Sequence, residues 1–250
     1  MNKLGFAGIS LAASLLAMPV FAAGTHWTYS GDEGPDHWGE LSEEYASCAG
    51  GAMQSPIDLS GAEASGTVNY EFDYQPVALN ILNNGHTVQF NTAEGGDLVE
   101  AGKTFHLAQI HFHTPSEHDV DGKEFPIEAH FVHQADDGAL AVLGVLIEEG
   151  EANATLQTVI DNMPTTPTEA ADVAGVTIDP NGLIPASHEI YRYMGSLTTP
   201  PCSEGVNWHV LATPMTASAE QIAALSEVLN HNNRPLQQLN ARLLVGPSGN

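Results

Sequence analysis

Residues 111–118 read HFHTPSEH, three histidines and a glutamate in eight positions. Twelve histidines in 250 residues cluster somewhere by chance, so the spacing matters more than the number. Side chains alternate across a strand. On the 106–113 run HLAQIHFH, His111 and His113 therefore share a face with Gln109, while Ile110 and Phe112 take the other. The 125–134 run FPIEAHFVHQ repeats the pattern, with Glu128, His130 and Val132 on one face and Ala129, Phe131 and His133 opposite. If the two runs pair as antiparallel neighbours, His130 meets His111 and His113 around one point. Three neutral imidazoles with a fourth position open form a catalytic zinc site. Gln109 and Glu128 then stand where acceptors are needed to hold the outer ring nitrogens in one tautomer. HFHTPSE also satisfies HxHxxxE, the first motif of cupin-type metal proteins, in which Glu117 is itself a ligand. That reading requires a Pro-x-Gly-x-x-His segment downstream, and the sequence has none.

Strands must carry these groups. VALNIL (77–82), HTVQF (86–90), 106–113, 125–134 and ALAVLGVLIE (139–148) are β-like runs divided by turn residues such as Asn83-Asn84-Gly85 and Asp121-Gly122. The 139–148 run is apolar on both faces, which places it in the centre of a sheet. EIYRYMG (189–195) and VNWHVL (206–211) read as two more strands. Helices are few. Residues 154–163 put Leu156, Val159, Ile160 and Met163 on one face. A second helix starts near Ser218, whose spacing to Gln221 fits a capping box, with Ile222, Leu225, Val228 and Leu229 inward. The predicted fold is mostly β (α+β): a single domain around a large twisted, mostly antiparallel sheet with a few short peripheral helices.

The chain opens MNKLGFAGISLAASLLAMPVFAAG. Lys3 precedes an apolar run from Leu4 to Val20, and Val20 and Ala22 suit the −3 and −1 positions of a signal-peptidase site. Residues 1–22 are therefore expected to be a signal peptide and 23–250 the mature domain, exported to the periplasm or the medium. The run is short for a bilayer span and contains Ser10 and Ser14. Cys48 and Cys202, the only cysteines, are expected to pair in such an oxidising compartment. A net charge of −25 argues against nucleic acid or an anionic membrane as partner, since both select basic patches.

Together GPDHWGEL, QSPIDL, NNGHTVQF, QIHFHTPSEH, IEAHFVH, AVLGVLI, YMGSLTTPPCSEGVNWHVL and NNRPL, in that order, resemble the α-class carbonic anhydrases along nearly the whole mature chain. The resemblance implies reversible hydration of carbon dioxide to bicarbonate, with one Zn2+ per chain held by His111, His113 and His130. It implies a gatekeeper pair, Thr198 and Glu117. An ionised Glu117 can only accept, so Thr198 must donate to it and keep its oxygen to orient a hydroxide on the metal. An apolar wall for carbon dioxide falls on Val132, Val142, Leu197, Val206 and Trp208, with Thr199 beside bicarbonate. His86 matches the proton-shuttle position, and Tyr29, Asn84 and Gln89 would order water between it and the metal. His118, His133 and Tyr193 would support Glu128 in a buried network. The Cys48–Cys202 bridge and cis peptides before Pro56 and Pro201 follow from the same resemblance, as does a weak esterase activity. The implied partners are small molecules alone, with the chain a monomer or homodimer. The acidity departs from the family and has no role in this chemistry.

Overall fold

The computed structural model of the protein describes residues 25–62, 64–65 and 69–247; the expected signal peptide lies outside the described residues. The strands are β1 (Ala64–Ser65), β2 (Tyr70–Tyr74), β3 (Val77–Asn83), β4 (Val88–Asn91), β5 (Gly96–Glu100) and β6 (Lys103–His113). They continue as β7 (Ile127–Gln134), β8 (Leu140–Glu149), β9 (Ala171–Ile178), β10 (Ile190–Ser196), β11 (Glu204–Leu211), β12 (Met215–Ala217) and β13 (Val245–Gly246). All belong to one sheet whose main path runs β1-β13-β10-β11-β8-β7-β6-β4-β3-β9. Its pairs are mostly antiparallel; β11 and β12 meet β8 in parallel, as does β1 with β13. The large, mostly antiparallel sheet predicted from the pattern is the fold.

Each strand that carries the site arises from the alternation in its sequence. Along β8, Leu143 and Val145 enter one apolar cluster while Val142 and Leu146 enter another on the opposite face, so this strand is buried on both sides. The first cluster takes Ile110, Phe112, Ala129 and Phe131 and is covered by Leu156 and Val159 of α3 (Ala154–Asn162) and Leu225 and Leu229 of α4 (Ala219–Leu229). (α-Helices before these, Trp38–Leu41 and Ser47–Gly50, are single turns.) The Ser218–Gln221 capping box forms with both of its bonds present. Burying one face of β6 and β7 under helices leaves the other face, with its histidines, for chemistry.

Two differences from the sequence reading have local causes. β4 begins at Val88 rather than at His86, because the N–H groups of His86 and Thr87 both donate to Asn84 Oδ1 at 2.9 Å and so leave the ladder. β9 was invisible because seven of its eight residues are exposed or half-buried, and it carries no apolar alternation. β2 and β5 pair with each other and bring Glu100 against Arg192 of β10. Cys48 and Cys202 are bonded, and the peptides before Pro56 and Pro201 are cis, as is that before Pro115.

Candidate metal centre and active site

β6 and β7 pair in the required register: His111 lies opposite His130, and His113 opposite Glu128. Alternation puts Gln109 on the histidine side, and a bulge between Leu107 and Gln109 turns Leu107 to the apolar face. The ligand atoms of His111, His113 and His130 all lie within 4.8 Å of one another. Each ring is held by a different acceptor. His111 Nδ1 donates to Gln109 Oε1 (2.9 Å), His113 Nδ1 to the Asn232 carbonyl (2.7 Å) and His130 Nε2 to Glu128 Oε1 (3.0 Å). These bonds fix the tautomers, so Nε2 of His111, Nε2 of His113 and Nδ1 of His130 are left as lone pairs facing one another.

Burial, reinforced by the neighbouring imidazoles, pushes His111 well below the usual histidine range; burial also lowers His113. Burial presses His130 down too, but the charge and hydrogen bond of Glu128 outweigh it and draw it up. Glu128 itself is disfavoured as an anion by burial, yet His118 and His130 hold its carboxyl well below the ordinary range. Its Oε2 accepts the N–H groups of Glu117 and His118, and its Oε1 also lies 2.8 Å from His118 Nδ1. Every lone-pair direction of this carboxylate is therefore used. Gly144 faces His130 across the β7–β8 pair, and a Cβ there would stand 2.9 Å from Glu128 Oε1. The glycine makes room for the buried carboxylate.

His113 Nε2 is buried with no hydrogen-bond partner, an arrangement that costs free energy unless a metal occupies the convergence point. Three imidazole nitrogens suit zinc, whose catalytic sites keep a fourth position open. The donor set thus fits the group. Behind it His118 Nε2 is hydrogen-bonded to the Tyr193 hydroxyl (2.7 Å), which donates to Ser55 Oγ (2.8 Å). His133 does not join this network. It lies on the opposite face of β7, within 2.7 Å of the Tyr74 hydroxyl, because odd and even positions of a strand cannot share a side.

Glu117 Oε1 accepts the Arg234 N–H at 2.9 Å. Its Oε2 is buried without a hydrogen-bond partner, 3.6 Å from His113 Nε2 and 3.9 Å from His130 Nδ1. The expected Thr198–Glu117 bond is not formed among the described residues: Oε2 is turned towards the histidines instead. Thr198 is buried in the loop between β10 and β11. That loop is closed by Leu197 N–H to Ser203 O (3.0 Å) and Cys202 N–H to Thr199 O (2.8 Å), and the disulfide ties it to Cys48.

The five wall residues come together in one apolar cluster, with Val142, Val206 and Trp208 buried and Val132 and Leu197 packed against them. Val142 pairs with Val132 on one side and Trp208 on the other, which makes a continuous row across three strands. The Trp208 ring stands edge-on to His130 with centroids 4.9 Å apart, and its N–H donates to Ser196 O. The row therefore begins at the His130 ring of the candidate metal centre.

His86 stacks on Trp27 at 3.7 Å and lines a cavity of about 560 Å³ with His26, Tyr29, Asn230 and His231. Burial, then the His26 charge, lowers the His86 pKa from 6.5. Tyr29 meets His86 edge-on, and burial together with the Glu117 charge keeps it a neutral phenol. Asn84 Oδ1 is spent on the turn, as described above. Gln89 pairs with His111 in register and donates to Asn91 Oδ1 (2.9 Å). Sequence reasoning missed Asn232 and Arg234. NNRPL stood out as a motif, yet contacts made 117 and 119 residues away leave no local pattern.

Comparison with known proteins agrees with this geometry. The family described as "Eukaryotic-type carbonic anhydrase" matches residues 33–246. The chain is 43% identical to a carbonic anhydrase of Pectobacterium carotovorum over 240 residues, 94% of this chain and 98% of that one. Among solved structures, the α-carbonic anhydrase of Thermovibrio ammonificans in complex with the inhibitor sulfanilamide is 45% identical with a TM-score of 0.85. It covers 89% of this chain and 99% of its own. Photobacterium profundum α-carbonic anhydrase is 42% identical with a TM-score of 0.83, covering 88% and 100%.

Proposed function

The chain belongs to the eukaryotic-type, or α-class, carbonic anhydrase family, and on that premise we propose that it hydrates carbon dioxide reversibly with one Zn2+ per chain. The reading rests on one observation above the others: three imidazoles, each with its outer nitrogen engaged by a separate acceptor and its inner nitrogen free. Zinc bound there would act as a Lewis acid and bring a water close to ionisation near neutral pH.

The protein's own groups do the rest. With the metal bound, the Thr198 hydroxyl would donate to Glu117 Oε2, which the Arg234 bond to Oε1 leaves without a partner and which turns towards the histidines here. A threonine oxygen so committed can only accept from the attacking water, which aims that water's lone pair at the substrate. Val132, Val142, Leu197, Val206 and Trp208 hold carbon dioxide, a small apolar molecule that gains nothing from polar contacts. Thr199 contacts bicarbonate. His86 takes the released proton from water ordered by Tyr29, Asn84 and Gln89 and passes it to solvent through the cavity it lines. An activated ester is a second substrate, attacked more slowly at the same place.

The disulfide suits an oxidising compartment, the periplasm or the exterior, with residues 1–22 as the export signal. No helix among the described residues is long and apolar enough to cross a membrane. The protein acts on small molecules alone, as a monomer or homodimer. A zinc-binding module without activity is the competing reading. Carbon dioxide hydration by the wild-type protein, lost in His130→Ala, supports the enzyme; a wild-type rate equal to the uncatalysed one supports the module.

A further inference from the structure

Asn232 is buried, 1% exposed, and every polar group it owns is engaged. Its carbonyl holds His113, and its N–H donates to Thr114 O at 3.1 Å. The side-chain amide does something separate. Oδ1 accepts the Thr114 N–H (2.8 Å), while Nδ2 donates to two carbonyls at once, Phe112 O (2.9 Å) and His86 O (3.0 Å). Phe112 sits between the two metal-ligand histidines of β6, and His86 sits in the Asn83–Thr87 turn. One amide therefore staples the end of the metal strand to the backbone of the turn that presents His86.

The chain is shaped to deliver this amide. α4 ends at Leu229 with Asn230 as its C-cap, and both Asn230 and His231 are left-handed, with φ of 52° and 57°. Two successive non-glycine residues in that region are costly, and such strain persists where surrounding contacts hold it. Here it turns the chain so that Asn232 points inward while Asn230 and His231 line the His86 cavity. Nor does the rest of the turn reach this carbonyl. The Asn84 carboxamide binds the His86 N–H, and the Thr87 hydroxyl binds Phe112 O (2.6 Å), so among the described residues only Asn232 holds His86 O.

We infer that the Asn232 side chain is a positioning residue for proton transfer, setting His86 relative to the metal strand through its backbone carbonyl. The inference rests on the shuttle reading of His86. Its specific content is a division of labour within one residue, with the carbonyl serving metal binding and the amide serving proton release.

Asn232→Asp keeps the shape and the Oδ1 acceptor but donates neither bond as an anion and at most one as a neutral acid; Asn232→Ala removes both without a new charge and covers the case in which the aspartate variant does not fold. Both leave the backbone carbonyl to His113. The His86 ring protons, read by NMR in the zinc-free and zinc-loaded protein, should lose part of the upfield shift imposed by the Trp27 stack. In dilute buffer kcat should fall about fivefold, the effect of one lost hydrogen bond. kcat/KM should stay within about twofold of wild type, and added imidazole should restore kcat. An unmoved His86 ring overturns the inference, as does a moved ring with unaltered kcat, or an equal fall in kcat and kcat/KM. Failure of the shuttle reading shows separately, as wild-type turnover by His86→Ala in dilute buffer.

Discussion

Glu128 accepts from His130 Nε2 at 3.0 Å, and that one bond decides which nitrogen His130 presents to the other two histidines. The remaining rings turn Nε2 inward and His130 turns Nδ1 inward, because their acceptors stand on different sides. An ionised, fully coordinated carboxylate behind a ligand raises the ligand's basicity as well as fixing its direction.

Replacing that carboxylate should therefore weaken the metal more than the fold. Glu128→Gln keeps the volume but puts an amide donor where two of the four donated bonds were received. Zinc affinity, measured by competition with a chelator, should drop on the order of 10- to 100-fold. An unchanged affinity would mean that the tautomer of His130 is set elsewhere.

The His86 reading predicts a buffer-dependent defect. His86→Ala should slow turnover in dilute buffer about tenfold, less than a general acid–base group usually contributes because buffer and water bypass it. Imidazole should restore the rate. His86 must be neutral to receive a proton, and burial and His26 lower its pKa from 6.5. In wild type, the shuttle-limited kcat should thus rise with pH through a midpoint below 6.5; a midpoint above it would contradict the environment described.

The gatekeeper reading depends on Glu117 being unable to donate. In Glu117→Gln the amide can donate to Thr198, the hydroxyl turns outward, and the orientation of the attacking water is lost. Hydration should fall about 100-fold with zinc still bound, the scale of removing one preorganised hydrogen bond. Retained activity with bound zinc would show that Thr198 is oriented without Glu117.

Away from the metal, Glu100 predicts an acid limb of stability. Burial alone would raise its carboxyl, but His209 and Arg192 draw it down to about 2. At 3.5 Å the His209 contact is long for a hydrogen bond, and the 2.7 Å Arg192 pair is the stronger of the two. A depressed carboxylate stabilises the fold above its unfolded pKa, near 4.5, and that contribution is lost as pH falls towards 2. Glu100→Gln should cost about 1–2 kcal/mol at pH 7, allowing for the solvent that reaches Arg192. Urea midpoints of the two proteins should converge between pH 4.5 and pH 2; a constant gap would assign the cost to packing.

Strand parity made most of the metal centre legible. HFH, EAH and their flanking Gln109 and Glu128 lie within the strands they serve, so an alternating pattern and one antiparallel pairing place them all. The wall residues were readable only by resemblance, since each is indistinguishable from core until the Val132–Val142–Trp208 row is assembled. Asn232 and Arg234 escaped because they act across more than a hundred residues of chain, partly through backbone groups that no side-chain pattern reports. His133 was misplaced where resemblance was followed against parity, which had already put it on the far face.

Stopped-flow carbon dioxide hydration with a pH indicator, on the mature protein before and after zinc removal, tests the central claim most directly. The account predicts acidification well above the buffer blank, lost with the metal and recovered when zinc alone is returned. A folded, zinc-loaded protein that acidifies no faster than the blank would contradict it.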